Sequence, residues 1–171
     1  MEYNNSIGVY PAHFNQYISL VKNEDLNSIL EKQWKESEDF FSSIPEDKWF
    51  YKYEENKWTI KELVQHVTDT ERVFSFRALV FAREDPNIIS SFDENEYAKK
   101  SNANDKSAAD LIQEFLAVRR STQLLFKSFS KKQLEVVGKA STYEMSVNAI
   151  GYMISGHLLH HLNILKERYL K

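Results

Sequence analysis

The sequence predicts an all-α protein, a four-helix bundle with one long crossover connection. Four glycines and three prolines in 171 residues are too few for the many turns of a β-sandwich. Apolar residues recur at helical spacing in four long segments, and helix start signals precede the clearest of them. At this length the chain fits one domain, residues 1 to 171, able to bury roughly two-thirds of the surface of its unfolded form.

The N-terminal part is predicted to hold a short helix and a long one. Residues 1 to 9 form a polar, loose leader, and Pro11 begins a short helix that reaches Leu20. Asn23 is expected to cap the first long helix, which Pro45 ends. The apolar stripe of that helix consists of Leu26, Ile29, Leu30, Trp34 and Phe41.

The second long helix has the clearest start signal in the chain. In Thr59-Ile60-Lys61-Glu62 the hydroxyl and the carboxylate can each accept a hydrogen bond from a free backbone amide, a pattern called a capping box. This helix should stop before Asp85-Pro86, because proline disfavours helical backbone in the residue before it. Residues 87 to 106 are polar and uneven, which predicts the long crossover of the bundle.

The C-terminal part is predicted to hold the two remaining long helices. The third spans about Ser107 to Ser128, and a short turn follows at Ser130 to Gln133, broken by Gly138. Ser146 caps the fourth helix, which runs to Arg168 or beyond. Four long helices with one long connection make a bundle the economical architecture.

Charge and cysteine content exclude several classes of function. Twenty-two basic and twenty-five acidic residues give a formal charge of -3, without the basic stripe that binds nucleic acid. The chain has no cysteine, so any metal must be bound by nitrogen or oxygen atoms. The N-terminus lacks the basic start and apolar run of a signal peptide, and no stretch is long and apolar enough to cross a bilayer. We therefore expect a cytoplasmic protein that binds neither nucleic acid nor membranes.

The spacing of the histidines indicates a metal site. His157 and His161 are four residues apart, so their imidazoles project from one helix face and can chelate one ion. His66 lies among apolar residues near the start of the capped helix and is the natural third ligand. Three neutral imidazoles with one open position suit Zn²⁺, Ni²⁺ or Fe²⁺. The alternative is that these histidines are hydrogen-bonded inside the bundle without a metal.

Other polar residues could support such a site. His160 is rotated away from the histidine pair, which favours a place in the pocket wall or a hydrogen bond to a ligand. Asp69 could orient a ligand histidine, or it could form a solvated helix face with Glu71 and Arg72. His13 is interpreted as a surface or packing residue. Three arginines could anchor an anionic substrate or form surface ion pairs, namely Arg77, Arg119 and Arg120.

Two sequence stretches resemble the DinB/YfiT-like family. Residues 57 to 72, KWTIKELVQHVTDTER, resemble its KWS-I-E-…-H-…-D-ER stretch, and GHLLHHL at 156 to 162 resembles its GHExHH stretch. The resemblance covers most of the chain from about Tyr10 to Lys171. It implies a four-helix bundle with a long crossover, a homodimer, and a divalent metal on three histidines. In this sequence they are His66, His157 and His161.

The resemblance implies a small-molecule substrate and leaves the reaction open. Some relatives are metal-dependent transferases that couple a low-molecular-weight thiol such as bacillithiol to electrophiles, and others are described as hydrolases. Several branches place Arg-Gly-Gln after the second histidine of the C-terminal stretch, where this chain has Leu162-Asn163-Ile164. Thiol transfer ranks slightly ahead of hydrolysis, because the only carboxylate suggested as a general base is Glu144. A non-enzymatic, stress-associated, metal-binding module is the further alternative.

Overall fold

The four long helices predicted from the sequence form the bundle. The computed structural model describes residues 2 to 4 and 7 to 171. Its helices are α1 (Asn15–Ile18), α2 (Leu26–Ser42), α3 (Ile60–Ala82), α4 (Glu94–Lys100), α5 (Ala108–Ser128), α6 (Lys131–Glu135) and α7 (Val147–Ile164). Its strands are β1 (Glu2–Asn4), β2 (Gly8–Tyr10), β3 (Val137–Ala140) and β4 (Tyr143–Ser146).

Helix packing explains the crossover. Helices α5 and α7 each pack against both α2 and α3, so the long helices follow one another around the core in the order α2, α5, α3, α7. The first turns of α3 and α5 and the last turns of α2 and α7 share one apolar cluster. Helices α3 and α5 therefore run in the same direction, and the chain between them must return along the bundle, a distance of about 30 Å for helices of this length.

The helix starts follow the signals in the sequence. The Thr59 hydroxyl accepts from the Glu62 amide at 3.1 Å, and the Glu62 carboxylate accepts from the Thr59 amide at 2.8 Å, as the capping box predicts. Ser107 caps α5 and Ser146 caps α7 through their side chains. Helix α3 ends at Ala82, before the Asp-Pro pair. These signals are local, which is why the sequence reveals them.

Two predictions near the N-terminus are wrong in detail. Asp25, and not Asn23, caps α2, because its carboxylate accepts from the Ser28 amide at 3.0 Å. The expected leader is not loose at residues 7 to 9, since β2 pairs with β1 and the Ile7 side chain is buried in the core. Met1, Asn5 and Ser6 lie outside the described residues.

The predicted short helix from Pro11 to Leu20 is divided. A 3₁₀ turn at Ala12–Phe14 precedes α1, and hydrogen-bonded turns continue the segment to Val21. Ile18 and Val21 anchor it in the core of the bundle. The segment therefore acts as a short cover on α7, with which α1 is in extensive contact.

The crossover and the segment before α7 hold structure that the sequence analysis missed. Asp93 caps α4 within the crossover. Strands β3 and β4 form an antiparallel hairpin, and the Ser141 amide donates to the Ile89 carbonyl at 2.7 Å, which ties the hairpin to the crossover.

Helix α7 ends at Ile164 and continues as a π-helical turn, Leu165–Tyr169. No helix in the described part of the chain combines the length and apolar character that crossing a membrane requires.

Candidate metal centre

The three histidines expected to be metal ligands lie together in the bundle. The Nε2 atom of His157 is 3.2 Å from that of His66 and 3.1 Å from that of His161. One ring nitrogen from each of the three residues falls within 4.8 Å of the other two. His66 is on α3 and the other two are one turn apart on α7, so the packing of α3 against α7 assembles the cluster.

All three imidazoles are held in the neutral form. Their residues are only 8, 6 and 8% exposed for His66, His157 and His161. Burial lowers the pKa of His66 to about 4. Burial, with the charges of the neighbouring histidines, lowers the pKa values of His157 and His161 well below the usual range. Neutral imidazoles have a free lone pair, which is the form that binds a metal.

The donor set fits a divalent metal of the zinc type. Within the described residues, no carboxylate hydrogen-bonds or pairs with the three histidines, and the buried Nδ1 of His161 has no partner. The His157 Nε2 atom faces two other nitrogens at 3.1 to 3.2 Å, but it carries either one proton or one lone pair, so it can form a good hydrogen bond with only one of them. Three histidine ligands match the set that leaves one coordination position open.

Aromatic residues enclose the cluster. The Trp58 ring lies over His66, with ring centres 4.5 Å apart. The Tyr17 ring meets His157 edge-on at 5.2 Å. Tyr17 can approach because Gly156 has no side chain, and a Cβ atom there would collide with the Tyr17 carbonyl oxygen. The short helix α1 therefore forms a wall of the site.

Two cavities reach the cluster. The larger, about 420 Å³, is lined by the three histidines together with Tyr17, Phe74, Arg77, Phe92 and Tyr143. A second cavity of about 260 Å³ shares Trp58 and His161 with the first. The larger cavity has the size of a small-molecule site, for which about 300 to 1,000 Å³ is typical.

The two residues expected to support the ligands differ in where they lie. His160 is half-buried, and its ring contacts Tyr17 at 5.2 Å and His161 at 5.1 Å, which places it in the wall beside the cluster. Asp69 accepts from Gln65 at 3.0 Å and from Arg72 at 3.1 Å, and no contact in the described structure joins it to a histidine. The alternative left open by the sequence, an ion-paired helix face, describes Asp69 and Arg72, but Glu71 is buried and pairs with Arg119.

The three candidate arginines occupy three different environments. Arg119 is fully buried and pairs with Glu71 at 2.7 Å, so it is part of the core. Arg120 is exposed and donates to Gln123 at 3.0 Å. Arg77 alone of the three lines the larger cavity.

Several cavity residues were missed by the sequence analysis. Tyr17, Trp58, Phe92 and Tyr143 come from four segments outside the long helices, and His13, interpreted as surface or packing, also lines the larger cavity. No spacing rule connects these residues, because only the tertiary fold brings them together. An aromatic residue in a loop carries no signal that distinguishes a cavity wall from ordinary packing.

The fold and the cluster together define a helical-bundle protein with a candidate three-histidine metal centre. The chain belongs to the DinB superfamily, whose family model matches residues 29–165. Its structure is also similar to that of YfiT from Bacillus subtilis, described as a probable metal-dependent hydrolase with an unusual four-helix bundle topology. The sequence identity is 13%, the TM-score is 0.71, and the match covers 97% of this chain and 91% of that chain.

A search of the curated proteins found no match. The family match and the structural similarity confirm the predicted DinB/YfiT-like fold, a four-helix bundle.

Proposed function

We propose that this protein is a metal-dependent enzyme that binds one divalent ion through His66, His157 and His161 and acts on a small molecule in the larger cavity. The observation that carries the proposal is the convergence of three buried, neutral Nε2 donors at the wall of that cavity. A bound Zn²⁺, Ni²⁺ or Fe²⁺ with an open coordination position would lower the pKa of a water molecule or a thiol.

Hydrolysis is the first candidate reaction. YfiT, whose fold this chain shares, is described as a probable metal-dependent hydrolase. Trp58 and Tyr17 would exclude bulk water from the histidines, and the neutral imidazoles would leave the site with a net positive charge once it is loaded. Glu94 is the one acidic residue that lines the larger cavity in the described structure, and it replaces Glu144 as the candidate general base.

Thiol transfer is the second candidate, and the pair of cavities favours it. A transfer reaction needs two substrates at one centre, and the two cavities share Trp58 and His161 in their linings. A low-molecular-weight thiol in one cavity and an electrophile in the other would both lie beside His161. No carboxylate base is needed beside the histidines if the thiol is already ionised.

Metal content tests the proposal directly. Protein purified without a histidine tag should contain about one equivalent of metal by elemental mass spectrometry. His66→Ala and His161→Ala should lose it, whereas His13→Ala, which alters the same cavity outside the cluster, should keep it. A native protein that is free of metal and also refuses added Zn²⁺, Ni²⁺ and Fe²⁺ would rule out the proposal.

Substrate assays then separate the reactions. Metal-loaded protein would be incubated with 4-nitrophenyl acetate and 4-nitrophenyl phosphate, and separately with monobromobimane and glutathione, cysteine or bacillithiol. Turnover that is lost in His157→Ala assigns the reaction. Bound metal without turnover in any assay would favour the non-enzymatic, metal-binding module.

Homodimerisation and a cytoplasmic location stay predictions. Light scattering would test whether the protein is a dimer.

A further inference from the structure

Arg77 is a buried cation on the wall of the larger cavity. It lies on α3, three turns beyond His66, and is 2% exposed. Its Nη1 donates to the Tyr143 hydroxyl at 2.8 Å, and its Nη2 donates to the Ser90 carbonyl at 3.1 Å. Its buried Nε has no partner in the described part of the chain. The guanidinium has five N–H donors, and these two hydrogen bonds use only two of them.

No acidic side chain among the described residues pairs with Arg77, although burial of an unpaired charge is costly. Arg119 is buried in the same bundle and has the partner that a buried cation usually has, because it pairs with the Glu71 carboxylate at 2.7 Å. Glu94, which lines the same cavity, is exposed and makes no ion pair with Arg77. The partner that Arg77 lacks in the protein can therefore be supplied by a ligand.

Aromatic rings surround the cation on the cavity side. The guanidinium carbon lies 4.7 Å from the centre of the Phe74 ring, 5.8 Å from that of Phe92 and 6.0 Å from that of Tyr143. All three residues line the larger cavity with Arg77. A planar guanidinium binds an oxyanion through two parallel hydrogen bonds, and the rings offer apolar contact to the rest of the molecule.

Arg77 and the histidines lie at different heights along one cavity. The Cα atoms of His66 and Arg77 are separated by about 16 Å along α3, from the helical rise. Long helical side chains tend to lean toward the N-terminal end of their helix, which is the direction of His66 from Arg77. Thr70 and Phe74, which lie between the two residues on α3, also line the cavity. One continuous space therefore joins the cation to the candidate metal centre.

We propose that Arg77 binds the carboxylate or phosphate group of a small organic anion whose apolar body contacts Phe74 and Phe92 and whose other end reaches the three histidines. The proposal assigns a substrate class, and in that respect it rests on the function proposed above. Binding of the oxyanion itself needs only the cavity and Arg77, so it can be measured without a metal.

Calorimetry on the metal-free full-length protein tests the binding. Benzoate, phenyl phosphate and the uncharged benzamide share one ring and differ in the group that would meet Arg77. We expect at least one of the two anions to bind about tenfold more tightly than benzamide. Arg77→Met should abolish this preference and Arg77→Lys should keep part of it. Arg120→Met, which removes an exposed arginine, should behave as the native protein does.

A preference for phenyl phosphate over benzoate identifies a phosphate ligand, and the reverse identifies a carboxylate. Equal affinity of the native protein for both anions and benzamide overturns the proposal, as does a preference that survives in Arg77→Met. Arg77 also donates hydrogen bonds to the crossover and to the hairpin, so its substitution could disturb the fold. Measurement of ¹⁵N spectra on the native protein avoids this problem. An arginine Nε–H resonance should shift with the preferred anion and not with benzamide; no shift overturns the proposal.

The outcome is distinguishable from failure of the proposed enzyme. If the protein binds metal on the three histidines and shows no anion preference, only the proposed substrate class is wrong. If it binds no metal and still binds the anion through Arg77, this inference holds and the proposed metalloenzyme is wrong.

Discussion

At the scale of single residues, burial decides the chemistry of the site. The three histidines could be ligands or hydrogen-bonded core residues as far as sequence can tell. The structure buries the rings and gives them no carboxylate partner among the described residues, and this burial keeps the imidazoles neutral. Neutral imidazoles do not need to lose a proton when a metal binds, so burial prepares the donors in advance.

The lowered pKa of His66 predicts how metal-free stability depends on pH. Its folded pKa, about 4, lies below the unfolded value of 6.5, so the unfolded chain binds the extra proton between these values. Stability is complete above pH 6.5 and falls as the pH drops toward 4, by up to about 1.4 kcal/mol per pH unit for one group. Urea unfolding at pH 7, 6 and 5 should show a shallower dependence of the unfolding free energy on pH for His66→Gln than for the native protein. Identical slopes in the two proteins would contradict this account.

The buried pair of Arg119 and Glu71 predicts an asymmetric mutational effect. Arg119→Met leaves the Glu71 carboxylate without its cation in the core and should cost about 3–5 kcal/mol in the free energy of unfolding. The double variant with Glu71→Gln should recover part of this loss. Arg72→Met removes a half-exposed partner of Asp69 and Glu114 and should cost less than about 1 kcal/mol. Chemical denaturation of the four proteins measures these differences, and a double variant no more stable than Arg119→Met would refute the explanation.

At the scale of elements, the close contact of α1 with α7 shapes the site. Gly156 lets the backbone of Tyr17 lie directly on α7, and the Tyr17 ring then covers His157 and His160. A residue that contributes no atoms to the cluster thus determines what covers it.

Gly156→Ala tests this contact. The added methyl group meets backbone and not a flexible side chain, so α1 must move. We expect a loss of about 1–3 kcal/mol in unfolding free energy, and displaced ring resonances of His157 and His160. Ser155→Ala is the matched control one residue away, because its buried Oγ has no partner in the described structure and its loss should cost little. If both variants were equally stable and kept native histidine resonances, the covering role of α1 would be disproved.

How much of each element could be predicted depends on how local its signal is. The Thr59 capping box and the Ser146 cap need only neighbouring residues, and both are present as expected. The β3–β4 hairpin was missed because its strands have only four residues each and its turn has Ser141, not glycine or asparagine, at a positive φ. His66 was proposed as the third ligand from its apolar neighbours, but 91 residues separate it from His157, and only the family resemblance placed the two in one motif set.

At the scale of the whole molecule, the antiparallel packing of α3 against α7 assembles the candidate centre. Helices α3 and α7 run in opposite directions, which brings the start of α3 beside the end of α7. His66 and the two histidines of α7 meet there, between the two apolar clusters of the bundle. The site and the core therefore depend on the same helix contact.

Metal removal should consequently lower the stability of the entire bundle. A ligand at one hundred times its dissociation constant adds about 2.7 kcal/mol to a folded protein, which corresponds to about 5–10 °C in Tm at this chain length. Chelation with EDTA should lower the Tm of the loaded native protein by that amount and leave His161→Ala unchanged. A native Tm that is insensitive to both chelator and added metal would contradict this prediction. Differential scanning calorimetry provides the measurement.

The sequence distance between the ligands has one more consequence. An ion held by both His66 and His157 would close a loop of 91 residues, and it would do so in a chain that has no cysteine. As long as the ion stays on both ligands, it would restrict the unfolded ensemble as a disulfide does, because a crosslinked chain has less entropy to gain when it unfolds. The metal would then be a reversible crosslink, one that a reducing compartment cannot break.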